Sequence, residues 1–175
     1  MNKNMTLFES IRARRSIRRY TDETVPVDVL EAIITAGLAA PTGCNAQLRG
    51  YIIVTDPAVM DQLRPVSKAL ATAPAAIVQL IEPKATRYGE FYLQDAAASI
   101  ENMLLAAVAT GYASCWVEGA VRHSHDDVRR ILGVPTDVNV SAILPIGKPA
   151  ESPPPPKKAT IGQAVHYNRF GRRRP

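Results

Sequence analysis

Four arginines and a serine stand close together near the start of the chain, at Arg14, Arg15, Ser16, Arg18 and Arg19. Arginine forks can hold a phosphate group in two-point contact, and a hydroxyl with free backbone amides adds neutral donors. Cations are also favoured at helix C-termini for electrostatic reasons alone. The run therefore suits either a phosphate site or a set of solvated charges that close a helix.

A second candidate site is a loop between a predicted helix over residues 27–39 and a predicted strand over residues 50–55. Proline cannot continue the helix, and glycine permits a conformation that larger residues resist. Amide side chains offer a donor and an acceptor to imide-like groups. The residues concerned are Pro41, Thr42, Gly43, Cys44, Asn45 and Gln47. An ordinary helix-to-strand connection has a similar composition.

The elements that position these residues follow from periodicity and caps. Helices are predicted over residues 6–14, 27–39, 57–64, 91–110 and 124–132, and strands over 50–55, 75–81, 113–117 and 138–146. Thr6 with Glu9, and Ser124 with Asp127, resemble capping boxes, while Gly133 suits a C-cap. Interleaved helices and strands predict an α/β or α+β sandwich with helices against a sheet.

Two of these helices carry informative faces. In the first, Leu7, Phe8 and Ile11 form an apolar stripe that is expected to orient the helix by packing. In the central helix, Asp95, Ser99 and Asn102 form a narrow polar stripe at positions i, i+4 and i+7. The remainder of that helix is largely apolar, which suits a core helix or a subunit interface equally well.

Four motifs in this order resemble the nitroreductase family of flavin enzymes. They are the basic run, the loop, the helix over residues 94–107 with the segment 112–119 that follows it, and residues 144–149. The resemblance extends from about Phe8 to Lys158. It implies a nitroreductase-like α+β fold, with a central, mainly antiparallel sheet flanked by helices. It also implies a homodimer with two FMN sites at its interface and a C-terminal arm exchanged with the partner subunit.

The same resemblance implies roles for the basic run and the loop. Arg14 and Ser16, with Arg15 nearby, are expected to bind the FMN phosphate. Arg18 is expected at the N1 and O2 edge of the flavin ring, where a fixed cation stabilises the negative charge of reduced flavin. The loop at Pro41–Gln47 is expected to reach the same flavin, largely from the partner subunit.

The segment 116–119 is expected to border the flavin ring. The resemblance implies that Glu118 and Gly119 form a tight turn whose backbone N–H groups face N5 and O4, with glycine allowing close approach. Trp116 and Val117 would pack beside the ring, although a plain core position for Trp116 is an equal alternative.

Residues 1–150 are predicted to form one FMN-binding domain, and residues 151–175 an extended proline-rich arm with a basic tail. Pro153–Pro156 favour stiff polyproline II structure. By the resemblance, Lys157 and Lys158 reach the flavin phosphate. Ala159 stands where the family has an arginine, so the terminal arginines, Arg169 and Arg172 to Arg174, are an alternative, as is a disordered end.

Composition limits the classes of partner. The chain has 175 residues, of which 46% are hydrophobic, and this suits one compact core. Its net charge of +5 is concentrated at residues 12–19 and in the last twenty residues, without a nucleic-acid-binding motif. No nucleic-acid or membrane partner is expected, and the polar start of the chain suggests a cytoplasmic protein.

The cysteines and histidines add little to the site. Cys44 and Cys115 are expected to be reduced, Cys115 as a small buried residue. Cys44 lies in the loop that faces the ligand, so a redox role for it stays open. The three histidines lack metal-ligand spacing, and no metal is predicted.

These patterns together predict an FMN-dependent oxidoreductase. NADH or NADPH would supply the hydride, and an oxidised small molecule such as a nitroaromatic or quinone would accept it. The flavin carries this chemistry, so no protein residue is assigned a catalytic role. The alternatives are a same-fold enzyme for reductive dehalogenation or flavin fragmentation, and a non-catalytic FMN-binding protein.

Overall fold

A computed structural model describes residues 5–82 and 91–174 of the chain. Helices and strands alternate along it. The helices are α1 (Leu7–Ala13), α2 (Val27–Leu38), α3 (Pro57–Leu63), α4 (Tyr92–Ala109), α5 (Gly119–His123), α6 (His125–Leu132) and α7 (Ile161–Ala164). The strands are β1 (Arg49–Val54), β2 (Ala75–Ile81), β3 (Ala113–Ser114) and β4 (Asn139–Gly147).

The strands form one antiparallel sheet in the order β1-β2-β4-β3. Side chains of β2 alternate between its two faces: Ile77 packs with α2 and α4, whereas Val78 packs with α3, α5 and α6. Helices cover both faces, so the predicted α+β sandwich is confirmed. The third strand is shorter than predicted, because Val117 joins the sheet only through an isolated bridge to Ile143.

Helix α1 begins as predicted and packs differently. The capping box is present, with the Thr6 hydroxyl accepting from the Glu9 amide and the Glu9 carboxylate accepting from the Thr6 amide. The predicted packing of the apolar stripe is wrong within one chain, since Leu7 and Phe8 are 63% and 70% exposed. Ser10 is the buried residue of this helix instead, so the apolar stripe faces outward.

The second predicted capping box, at Ser124 and Asp127, is absent. Ser124 precedes α6, but its side chain caps no amide. Its backbone N–H donates to the Ala120 and Val121 carbonyls and so ends α5. Asp127 pairs with Arg130 at 2.8 Å instead. Gly133 ends the helix in the left-handed conformation, as its C-cap position predicts.

Helices α2 and α4 approach each other closely at Gly37. A Cβ atom at this glycine would lie 2.7 Å from Met103 Cγ and 3.0 Å from Ser99 Oγ. The polar stripe of α4 serves the same contact, because the Asn102 amide donates to the Ala36 carbonyl at 3.0 Å. Ser99 is fully buried and shares a 2.7 Å hydrogen bond with the Tyr51 hydroxyl.

Gly37→Ala is expected to lower the free energy of unfolding by about 1 to 3 kcal/mol, because the added methyl group overlaps α4. Urea denaturation measures the change. Gly50→Ala is the matched control, since its Cβ would meet Leu80 Cβ at an ordinary 3.6 Å. An equal loss in both variants would contradict the close approach of the helices.

Candidate functional site

The basic run leaves α1 in an extended conformation and is fixed to the edge of the sheet. Ser16 forms a parallel bridge with Ser114, and the Ile17 amide donates to the Ser114 carbonyl at 3.0 Å. Buried Tyr20 donates its hydroxyl to the Ile17 carbonyl, and burial raises the pKa of that hydroxyl, which keeps it protonated. The backbone therefore holds the arginines beside β3.

The arginines border a cavity of about 710 Å³. Its walls come from the end of α1, the basic run, one residue of α4 and the tail: Ile11, Arg12, Arg14, Arg15, Ser16, Arg18, Glu101, Pro153, Pro154, Pro155, Pro156 and Lys158. Five of these residues are cations, and Glu101 is the acid among them. Arg14 lies 3.8 Å from that carboxylate. Cationic charge exceeds acidic charge around the cavity.

Two of these cations, Arg15 and Arg18, donate to backbone carbonyls. Arg15 donates to the carbonyls of Arg12 and Arg14, at 2.7 and 2.8 Å, and its buried Nε atom has no partner among the described residues. Arg18 donates to the Ser16 carbonyl at 3.3 Å. Backbone carbonyls are neutral acceptors, so a phosphate dianion would be a stronger partner for these guanidinium groups. The donor set fits the phosphate end of FMN.

The tail contributes to the cavity from the same chain. The extended segment Pro153–Pro156 lies against the basic run, and Lys158 lines the cavity with it. Lys157 is exposed and is not among the lining residues of the described chain. The terminal arginines lie elsewhere, in a turn where Arg173 donates to the Val165 carbonyl and His166 stacks on Phe170.

The loop at Pro41–Gln47 has an unusual backbone. Cys44, Asn45 and Gln47 have φ angles of 51°, 57° and 49°, a left-handed region that side chains disfavour. The Gly43 amide donates to Asp95 on α4 at 2.9 Å. Cys44, Asn45 and Gln47 are all exposed. The loop thus presents its polar side chains outward from a restrained backbone.

The segment after β3 differs from its prediction in one respect. Glu118 and Gly119 do not form an isolated tight turn, because Gly119 begins the short helix α5. A Cβ atom at Gly119 would meet nothing within 4 Å, so the space beside its backbone is open. Val117 is buried, and Trp116 is 36% exposed, which leaves it accessible and rules out a fully buried position.

The structure unites some predicted site residues and separates others. Arg14, Arg15, Ser16, Arg18 and Lys158 share one cavity, and Ser16 pairs with Ser114, two residues before Trp116 in the chain. None of the loop residues 41–47 is among the described residues that line it. The predicted site is therefore divided within one chain.

Four residues near these segments were missed by sequence reasoning. Arg12 and Glu101 line the cavity, and Glu151 accepts the Arg18 amide at 2.7 Å. Arg49 donates to the carbonyls of Gly37 and Ala40, where the loop begins. The position of Arg12 one turn before Arg15 was a usable signal, whereas the other three depend on contacts between distant segments.

The sequence predicts no metal site and no membrane partner. Across residues 5–82 and 91–174, no group of three or more His, Cys, Asp or Glu side chains is arranged to hold a metal ion. Within the same ranges, no helix is long and apolar enough to cross a membrane.

The two thiols are expected to differ in reactivity. Cys44 is exposed, whereas Cys115 is 4% exposed and its pKa is raised by burial, against the opposing effect of Arg18 and Arg14. A disulfide reagent at pH 8 should modify one thiol quickly and the second only in denaturant, because the thiolate is the reactive form. Cys44→Ser should remove the fast reaction and Cys115→Ser should leave it; equal rates for both thiols would contradict this environment.

Comparison with known proteins gives a consistent result. A sequence model of the Nitroreductase family matches residues 11–89 and 67–148. A protein of Archaeoglobus fulgidus, provisionally named NADH dehydrogenase/NAD(P)H nitroreductase, is 33% identical over 82% of this chain and 86% of its own. An iodotyrosine deiodinase of Thermotoga neapolitana is 24% identical over 94% of this chain and 98% of its own.

A solved structure has the same fold. It is a protein of Desulfovibrio desulfuricans, provisionally named a nitroreductase, in complex with FMN. Its TM-score to this chain is 0.83, and the two are 25% identical over 94% of this chain and 98% of that one. The predicted nitroreductase-like fold is confirmed by this match. Because the two overlapping matches to the family model together cover residues 11–148, this chain belongs to the nitroreductase family.

Proposed function

We propose that the protein is an FMN-dependent oxidoreductase that passes hydride from NADH or NADPH to an oxidised small molecule. The observation that carries this proposal is the cavity bordered by Arg14, Arg15, Ser16, Arg18 and Lys158. Its cations hold neutral carbonyls and one carboxylate, so they remain able to bind a phosphate dianion. The FMN-bound relative and the NAD(P)H nitroreductase relative support the same cofactors.

Bound FMN supplies the hydride chemistry, and the protein supplies binding and orientation. Arg14, Arg15 and Ser16 would hold the phosphate, with Lys158 closing the cavity from the tail. Arg18 would lie toward the ring edge that becomes negative on reduction and would stabilise that charge. The space beside Gly119 would admit the ring next to the backbone of α5. We assign no protein nucleophile, acid or base.

A homodimer would complete the site. The basic run contacts α4 at Glu101, whereas the loop contacts it at Asp95. Asp95 and Glu101 are six positions apart, which places them about 9 Å apart along the helix and about 120° apart around it. Arg14 and the loop of one chain thus occupy different sides of α4. We propose that the loop completes the flavin site of a second copy.

The outward-facing stripe of α1 supports this assembly. Leu7, Phe8 and Ile11 are 63%, 70% and 49% exposed within one chain. Large apolar side chains that cluster on a surface are typical of interfaces between proteins. The stripe lies on α1, which leads directly into the basic run. Its burial against a second copy would therefore bring the two flavin sites near the interface.

The preferred acceptor is a quinone or a nitroaromatic compound. The deiodinase relative favours a second candidate, reductive removal of halide from an aromatic substrate at the same cofactor. Both activities need FMN, so the phosphate cavity supports them equally. They differ in the acceptor alone.

Heat-released cofactor from the purified protein, identified by chromatography, should be FMN. The holoprotein should oxidise NADH or NADPH when a quinone is added, since flavin passes the electrons between them. Absorbance at 340 nm follows the reaction, and an iodinated phenol replaces the quinone to test the second candidate. Recovery of FAD, or of no flavin after reconstitution, contradicts the proposal; FMN without turnover of any acceptor favours a binding protein.

Mixed dimers of Arg14→Ala and Asn45→Gly chains test the shared site. Glycine removes the Asn45 side chain without strain at its positive φ. When each site takes its arginine from one chain and its loop from the other, one site carries both changes and its companion carries neither. Titration should then find one FMN bound per dimer with wild-type affinity.

Each homodimer variant serves as a control and should bind FMN weakly at both sites. Arg19→Ala is a further control, because Arg19 belongs to the basic run but is not among the described residues lining the cavity. A mixed dimer without any tight site would show that the loop and the arginine of one chain serve the same flavin. A stable monomer with full FMN content would also contradict the proposal.

A further inference from the structure

The backbone of the loop at Pro41–Gln47 is held in a conformation that its residues disfavour. Cys44, Asn45 and Gln47 all have positive φ angles, and cysteine and glutamine rarely adopt this region. Such residues persist where the surrounding structure restrains them. The shape of this loop therefore depends on groups that hold it.

Some restraints come from the loop itself. The Gln47 amide donates to the Thr42 hydroxyl at 3.2 Å, and the Gln47 side chain donates to Asn45 Oδ1 at 3.0 Å. The Asn45 amide donates to the Thr42 carbonyl at 3.0 Å. These bonds keep the loop compact, but they do not tie it to a rigid element. An anchor outside the loop is needed to set its direction.

Asp95 supplies that anchor from the first turn of α4. Its Oδ1 atom accepts the Gly43 amide at 2.9 Å, 52 residues away along the chain, in a half-buried environment. A hydrogen bond to a charged acceptor is stronger than one between neutral groups. A carboxylate is also favoured in the first turn of a helix by the helix dipole. The bond thus connects the loop to the rigid central helix.

Arg49 restrains the entry to the loop. Its guanidinium donates to the carbonyls of Gly37 at 3.2 Å and Ala40 at 3.0 Å, which are partly buried acceptors at the end of α2 and just beyond it. The chain is thus fixed just before Pro41 by Arg49 and again at Gly43 by Asp95. The residues with positive φ begin immediately after the second anchor.

We propose that Asp95 is a positioning residue for the flavin site, fixing the loop through the Gly43 amide so that Asn45 and Gln47 face the cofactor. This inference rests on the proposed FMN function. Asp95 itself points to a backbone amide and acts through the loop. Its removal should release the loop and weaken FMN binding, while the core between α2, α4 and the sheet stays intact.

Asp95→Ala should raise the Kd for FMN about tenfold, the amount expected for one charge-assisted hydrogen bond. Asp95→Asn keeps an acceptor oxygen of the same shape and should stay within about threefold of wild type. Fluorescence titration of the apoprotein with FMN measures both. Amide hydrogen exchange of the apoprotein should show faster exchange at residues 42–47 in Asp95→Ala and a smaller increase in Asp95→Asn, which keeps the acceptor oxygen but loses its charge.

Asp56→Ala is the matched control. Asp56 accepts the Ala58 amide at 2.8 Å at the start of α3, so this variant also loses one carboxylate-amide bond, remote from the loop. Asp56→Ala should lose about as much thermal stability as Asp95→Ala does, but it should bind FMN with wild-type affinity. Comparable exchange rates in the loop of Asp95→Ala and wild type, or an unchanged FMN affinity, would overturn the inference.

The two proposals fail in different ways. Wild-type protein that binds no FMN would remove the proposed function, while hydrogen exchange would still test the anchoring of the loop. Wild-type protein that binds FMN, beside an Asp95→Ala variant with equal affinity, would remove only the positioning role. An Asp95→Asn variant as weak as Asp95→Ala would also overturn that role, because the acceptor atom is retained.

Discussion

The contact between α2 and α4 at Gly37 determines how the polar residues of α4 are used. With no side chain at this position, Met103 and Ser99 lie directly against the α2 backbone. A polar group buried in such a contact costs free energy unless it is hydrogen-bonded. Ser99 bonds the Tyr51 hydroxyl, and Asn102 bonds the Ala36 carbonyl. These two residues thereby fix α2 and β1, the elements on either side of the loop, against α4.

The loop inherits its geometry from this packing. It emerges from the end of α2, which lies against α4, and it leads into β1, which α4 reaches through Tyr51. Asp95 then continues the same polar stripe one turn before Ser99, where it meets the Gly43 amide. A single helix face holds both ends of the segment and the loop between them. The positive φ angles of Cys44, Asn45 and Gln47 persist because the bonds of Asp95, Ser99 and Asn102 restrain the loop and the elements on either side of it.

Sequence predicted the elements well where a signal was local. The Thr6 and Glu9 pair marked the start of α1, and Gly133 marked the end of α6, because both depend on neighbouring residues. Ser124 failed as a cap because α5 runs up to it, and sequence reasoning had not identified α5. Strand β3 is also shorter than predicted, because only Ala113 and Ser114 pair continuously with β4.

Sequence predicted the candidate site less completely, for the same reason. The basic run was found by residue type, and its Arg14, Arg15 and Arg18 do share a cavity. The partners that orient them, Glu101 and Glu151, lie more than 80 residues away and carry no pattern of their own. The polar stripe of α4 was visible, but periodicity gives only a helix face. What that face contacts, and hence the role of Asp95, depends on how α2 and β1 pack against it.

The cavity at the basic run and the loop at Pro41–Gln47 show two different forms of preorganisation. Around the cavity, like charges are held close together, and their repulsion is moderated by Glu101 and by backbone carbonyls rather than by a full set of acids. In the loop, the unfavourable free energy comes from backbone conformation, since three residues have positive φ angles, and it is offset by hydrogen bonds such as that from the Gly43 amide to Asp95. An anionic ligand relieves the first cost by neutralising charge, whereas it uses the second arrangement without changing it. Under the proposed function, the cavity would supply charge neutralisation, and the restrained loop would add contacts that both orient the ring and strengthen its binding.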